Sequence, residues 1–274
     1  MEERVVMKKY SKLKISLLIF LSVFIFFTYS ERVMAITHIE PARIILYVEP
    51  GDRTTGTIKV TNKSEKETEV KAILYDWTLD DNDGLNATIA GSRPETLDGL
   101  IKFNPRRFKL KPGKTQVVRF TISAPKDINI ERRGIVFFEE ETGLIEKTTG
   151  ANVVTQIGTT IYLAPTTAKS EFKLLGAKVY IPKDRQKKKL GVLSLNNQGN
   201  AHIRYIISYK IIDEKGALVN ENKFTEQVIL PGFKRGVTFP IKQDLKSGSY
   251  KMLLSFEFHG TAKKANYTIP FKIN

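Results

Sequence analysis

Three histidines, no cysteine and dispersed carboxylates set narrow limits on the chemistry open to this chain. His38, His202 and His259 are too scattered to suggest a zinc triad or a catalytic base. The absence of cysteine excludes disulfides, thiolate zinc sites, thiol catalysis and a lipid-modified N-terminal cysteine. The run Asp80-Asp81-Asn82-Asp83-Gly84 has part of a calcium-loop pattern but lacks the acidic residue that closes an EF-hand loop, and it reads as a polar loop. No nucleophile elbow, phosphate loop or paired catalytic carboxylates occur, so neither an enzyme nor a metal or cofactor is expected.

What remains is binding chemistry, and most of it is basic. Forty-four Lys and Arg face 29 Asp and Glu, a net charge of +15. The run from Lys183 through Arg185 to Lys189 reads as a solvated hairpin tip rather than a polyanion patch. Lys102, Arg106, Arg107, Lys109, Lys111 and Lys114 alternate with Phe103, Phe108 and Leu110, which suits a strand with one wet face. Arg119 follows an apolar pair on a strand and reads as a packing or pairing residue. Trp77 follows Ile73 and Tyr75 at period two and reads as core. Asn62, Asn86 and Asn266 open N-x-Ser/Thr triplets, which mean little if the source is bacterial.

The first 35 residues have the order of a secretory signal. Lys8, Lys9, Lys12 and Lys14 precede an apolar run over 15–29, and Val33-Met34-Ala35 follows with a small residue at the cut. The apolar run is shorter than the roughly 20 residues that span a bilayer, so cleavage after Ala35 is expected rather than a lasting anchor. The leader holds six basic and three acidic residues, which leaves +12 on residues 36–274. Outside the cytoplasm that charge points to an acidic protein surface, anionic lipid or cell-wall polymer, not to nucleic acid.

Beyond Ala35 the pattern is all β. Strands are expected over 36–48, 56–62, 69–77, 100–110, 116–123, 133–140 and 152–163. A second series is expected over 171–180, 189–196, 202–213, 226–230, 236–241, 248–259 and 266–272. Turn residues separate them, notably Glu49-Pro50-Gly51-Asp52, Lys111-Pro112-Gly113-Lys114 and Leu230-Pro231-Gly232. Seven short strands in about 100 residues is the signature of an immunoglobulin-like sandwich. The chain therefore reads as a signal peptide (1–35), one immunoglobulin-like domain (36–165) and a second (166–274), joined near Pro165. In each half a Pro-Gly turn precedes a strand, and a long strand then closes the unit.

The stretch Phe108-x-Leu110-x-Pro112-Gly113-x-x-Gln116-x-x-Arg119 resembles the central signature of the PapD-like periplasmic pilus-assembly chaperones. Ile39-x-Pro41-x-Arg43-Ile44 resembles that family's opening strand, and Val60-Thr61-Asn62-Lys63-Ser64 its second strand and turn. Arg133 to Phe138 stands at its sixth strand, and Ile161-Tyr162-Leu163-Ala164-Pro165 resembles the end of its seventh strand and the hinge. The resemblance implies a chaperone whose seventh strand completes a strand-deficient, pilin-like exported subunit. It also implies a basic cleft that holds the subunit's terminal carboxylate, and it leaves room for an outer-membrane usher.

Carried over by position, the implied contact residues are Arg43 for the cleft and Ala151, Val153, Thr155 and Ile157 for the lent strand. The cleft lysine falls on Thr160, a neutral hydroxyl, with Lys169 or a basic neighbour as its substitute. Ala164 and Arg133 stand where the resemblance places an arginine and a buried acid between the domains, so other contacts must set that angle. Two functions follow: a periplasmic strand-lending chaperone for surface-fibre subunits, or an immunoglobulin-like envelope scaffold or adhesion module that holds cell-wall polymer or another envelope protein. A free seventh strand favours the first and a covered one the second.

Overall fold

A computed structural model describes residues 37–80, 84–145, 152–183, 188–241, 245–260 and 262–273, excluding the side chains of 141–145, 152 and 153. The expected leader and its cut therefore lie outside the described residues, as do Asp81, Asn82 and Asp83 of the acidic loop. The described chain forms four sheets in two face-to-face pairs, and no strand is shared between the pairs. Among the described residues no helix is long and apolar enough to cross a membrane.

The first sandwich packs a sheet of β1 (Thr37–Glu40), β3 (Arg53–Asn62), β8 (Thr115–Ser123) and β6 (Ile101–Asn104), in that order, on a larger sheet. The larger sheet runs β2 (Arg43–Val48), β10 (Asn152–Pro165), β9 (Arg132–Ile145), β4 (Thr68–Leu79) and β5 (Leu85–Ile89), with β7 (Arg107–Leu110) also paired to β4. Alternate residues of β3 and β8 point inward, so Ile58, Val60, Val118, Phe120 and Ile122 meet Val70, Ala72, Val136, Phe138, Ile161 and Leu163 from the opposite sheet. Each such buried side chain contributes about 1.5–3 kcal/mol relative to exposure.

The second sandwich packs β11 (Phe172–Tyr180), β12 (Leu190–Asn197) and β16 (Lys234–Pro240) on β14 (Leu218–Lys223), β13 (Ile203–Asp213), β17 (Gly248–Phe258) and β18 (Lys264–Ile273). The short β15 (Gln227–Ile229) extends this sheet beside β13. Its core is aromatic, with Tyr205, Tyr209, Phe239 and Phe256 all buried. Tyr180 and Leu190 are paired, and residues 184–187 of the basic run 183–189, read as a hairpin tip, lie outside the described residues.

Two expected strands are each split by a proline. Residues 36–48 divide at Pro41 into β1 and β2, and residues 100–110 divide at Pro105 into β6 and β7. In both cases the halves join different sheets, because proline offers no N–H to continue a ladder. β5 lies between the strands expected over 69–77 and 100–110, where none was expected.

The halves repeat one clasp. Asn62 is fully buried, and its Nδ2 donates to Lys66 O at 2.7 Å and Leu110 O at 2.8 Å, while Oδ1 accepts Ser64 N at 2.8 Å. Asn197 repeats this with Ala201 O, Ile229 O and Gly199 N. Each asparagine carbonyl also accepts the N–H of the Pro-Gly glycine, Gly113 or Gly232. Both glycines hold positive φ, which Pro-Gly turns require of their third residue. Six residues before each clasp a glycine lies under a cross-strand phenylalanine, Gly56 beneath Phe120 and Gly191 beneath Phe239.

Candidate functional site

β10 is flanked on one side by β9 along nearly its whole length, but on the other by β2 only from Thr160 onward. Among the described residues, 152–159 have no strand partner on that second side, which leaves an open main-chain edge of about 26 Å at 3.3 Å per residue. Thr160 N donates to Ala42 O, which fixes the phase: N–H and C=O groups of residues 154, 156 and 158 point to the open side. The Pro41–Ala42 turn closes the edge, with Thr159 Oγ1 donating to Pro41 O at 2.8 Å. β9 pairs with β4 only through Glu140, so beyond that residue β9 and β10 form a two-stranded arm.

Side chains alternate along this edge. Ile157, Ile161 and Leu163 face the core of the first sandwich, Ile157 from a half-buried position at its margin. Thr155, half-buried, continues that face outward; beyond it the register with β9 shifts between Asn152 and Val154, and the Val153 side chain and all of Ala151 lie outside the described residues. Val154 projects from the opposite face and is 48% exposed. The strand expected to be lent is therefore uncovered on one edge, with its apolar set in line with its own core.

Where the open edge ends, Arg43 begins β2 in register with Thr160. Ile44 and Leu46 pack into the core, so Arg43, Ile45 and Tyr47 face the cleft between the sandwiches. Arg43 Nη1 donates to Glu226 Oε2 at 3.2 Å. The same oxygen accepts Arg204 Nε at 2.8 Å and Nη2 at 2.6 Å, and Glu226 Oε1 lies 3.0 Å from His259 Nδ1. Partial burial alone would raise the Glu226 carboxyl, but the bonds and charges of Arg204 and Arg43 outweigh it and hold the group below the usual carboxylate range. Beside this cluster a cleft cavity of about 560 Å³ is lined by Ile45, Tyr47, Arg204, His259 and Tyr267 among others.

Sequence reading did not single out Arg204, Glu226 or His259 for this cluster. Arg204 of β13 is a second cation on the carboxylate that Arg43 bonds. Thr160 contributes its backbone N–H, and the described contact of Lys169 with the second sandwich is also through its backbone, to Asn200 Oδ1. Glu226 and His259 lie outside regular strands. Arg204, Glu226 and His259 carry no local motif, and only the tertiary fold joins them.

The sandwiches meet around Trp77, Ile135, Tyr162 and Leu230, which form a cluster apart from either core. Trp77 is buried as expected, but here rather than inside one sandwich. Arg133, 2% exposed, lies between the rings of Trp77 and Phe233, with Glu95 Oε2 3.5 Å from Nη2. Burial lowers its pKa from the ordinary arginine value, and the Glu95 and Glu131 charges work against that. Glu131 is fully buried and bonds His202 Nδ1 at 2.6 Å, with Tyr162 stacked on that imidazole at 4.1 Å. Burial pushes the Tyr162 hydroxyl up to about 12.

No family model matches the chain, and no curated protein matches it in sequence. Solved structures do. The chain is similar to the class 5 fimbriae chaperone CfaA at 16% identity and a TM-score of 0.47, over 85% of this chain and 98% of that one. It is similar to the YadV chaperone at 12% identity and a TM-score of 0.46, covering 85% and 99%. The Pseudomonas aeruginosa CupB2 chaperone matches at 12% identity and a TM-score of 0.44, covering 84% and 98%.

Proposed function

We propose that this protein is a non-enzymatic chaperone that works in the periplasm, adding the 152–159 edge of β10 to a strand-deficient exported subunit of a surface fibre. The observation that carries this reading is the open edge, an apolar-faced strand unpaired on one side that ends at a cationic cleft. Unpaired strand edges are ordinarily covered or blunted, so one left open on a projecting arm is suited to pairing with another chain. Main-chain bonds supply affinity, and the alternate side chains at Val153, Thr155 and Ile157 supply fit.

The edge also selects direction. β2 continues the same edge and runs parallel to β10. A client strand that lies in line with β2 and runs parallel brings its C-terminus to Arg43, where a carboxylate meets a guanidinium. An antiparallel client brings an ammonium there instead and is repelled.

The test is co-purification from the periplasm with identification of the exported protein that comes along. Val153→Asp and Arg43→Ala should each weaken a one-to-one complex with it. Unchanged binding by both variants would remove the reading in favour of an envelope scaffold, whose binding would fall steeply with salt and ignore Val153.

A further inference from the structure

We infer that Glu226 is an internal occupant of the cleft's anion site, which a client carboxylate must displace to reach Arg43 and Arg204. The inference rests on the strand-lending reading and adds a regulator to it. Among the described residues Arg43 has no ionic partner but Glu226, and that contact, at 3.2 Å, is the longest of those made to the Glu226 carboxylate. Arg204 bonds the same oxygen with two nitrogens at 2.8 and 2.6 Å, and His259 Nδ1 is 3.0 Å from the other oxygen. Two guanidiniums and an imidazole thus converge on one carboxylate, at the point where the open edge of β10 stops.

Glu226 sits on a connection between strands rather than within one. Residues 224–226 form no regular structure between β14 and β15, and β15 itself is three residues long. Arg43 and Arg204 are carried instead on β2 and β13, inside two different sandwiches. Moving Glu226 disturbs a short connection, whereas moving either arginine disturbs a sheet. Glu226 also joins the sandwiches through Arg43, so its displacement replaces an internal tie by one made through the client. The site would then report that the client strand is seated to its last residue.

The probe is a fluorescein-labelled ten-residue peptide of alternating valine and serine, made with a free C-terminal carboxylate or a C-terminal amide, and read by fluorescence anisotropy. Glu226→Gln keeps the shape and removes the competing charge. It should tighten the free-acid peptide by about threefold to tenfold and leave the amide unchanged. Glu226→Ala should act in the same direction, which guards against a local effect of the glutamine. Weaker or unchanged free-acid binding in both variants, while Val153→Asp still abolishes binding of both peptides, overturns the inference alone, since Glu226 would then only orient the arginines. If neither peptide binds the wild type, or Val153→Asp has no effect, strand lending fails and this inference fails with it.

Discussion

Proline at position 156 should separate folding from client binding. In β10 the N–H of Gln156 is in phase with that of Thr160 and points to the open side, away from β9. Gln156→Pro therefore removes no bond from the β9–β10 ladder. It loses only the exposed side-chain bond from Nε2 to Glu139 Oε1 at 2.6 Å, and Thr155 is already extended, as a residue before proline must be. The cost to stability should be about 1 kcal/mol or less. A client strand meets a ring where it needs a donor, losing a ladder bond of roughly 0.5–1.5 kcal/mol and the close approach of its neighbours. Together these should weaken the complex about 30-fold or more, some 2 kcal/mol. Ile157→Pro is the counterpart: its N–H faces β9 opposite Phe138, so it should destabilise the fold by roughly 3 kcal/mol. Urea unfolding followed through Trp77, with affinity for the co-purified client, measures both. Wild-type affinity in a folded Gln156→Pro protein would refute addition at this edge, and equal stability of the two variants would refute the phase.

Asn62→Ala removes two donated and two accepted bonds from a fully buried clasp, and should cost about 2–4 kcal/mol in urea unfolding. Asn197→Ala should cost a similar amount, and exposed Asn266→Ala less than about 0.5 kcal/mol. Glu226 titrates below its ordinary value of 4.5, so its contribution to stability is present above that value and lost as pH falls through the lower, folded one. The stability difference between wild type and Glu226→Gln should accordingly shrink as pH falls below 4.5, and a constant difference would sink the assignment.

The two sandwiches were legible because alternation is written into residues such as Ile58, Val60, Val118 and Phe120, and because Pro112-Gly113 and Pro231-Gly232 can do little except turn. β5 and β14 were not legible. Exposed edge strands such as Leu85–Ile89 and Leu218–Lys223 carry no inward face to impose a period. The splits at Pro41 and Pro105 were visible as prolines, but the exchange of sheets they permit is a property of the packed pair. Within the proposed cleft, the strands that carry Arg43 and Thr160 could be located from their alternation, since both are regular elements. The second cation could not. Arg204 alternates with core residues Ile203 and Tyr205 like any outward residue of a strand, and it becomes a cleft residue only through the way β13 meets β2. The inter-sandwich contacts are the same case, with Glu131 and His202 71 positions apart.

One strand is thus held firmly at one end and left free at the other. From Thr160 onward β10 is paired on both sides, and Tyr162 is buried in the contact with the second sandwich. Only Thr159 separates this anchored segment from Gly158, the last open position in phase with Thr160. The open half therefore needs little ordering when a client arrives, because β9 and the anchored half already hold it extended. Ordering an unpaired segment would otherwise cost roughly 1–2 kcal/mol per residue for the backbone alone. Across residues 152–159 that would exceed what six net ladder bonds, two at each of residues 154, 156 and 158, return at about 1 kcal/mol each. The buried contact around Trp77, Arg133 and Tyr162 accordingly serves the open edge as much as the angle between the sandwiches. Loosening that contact, with β10 itself unaltered, should weaken client binding through loss of preorganisation rather than loss of any direct bond.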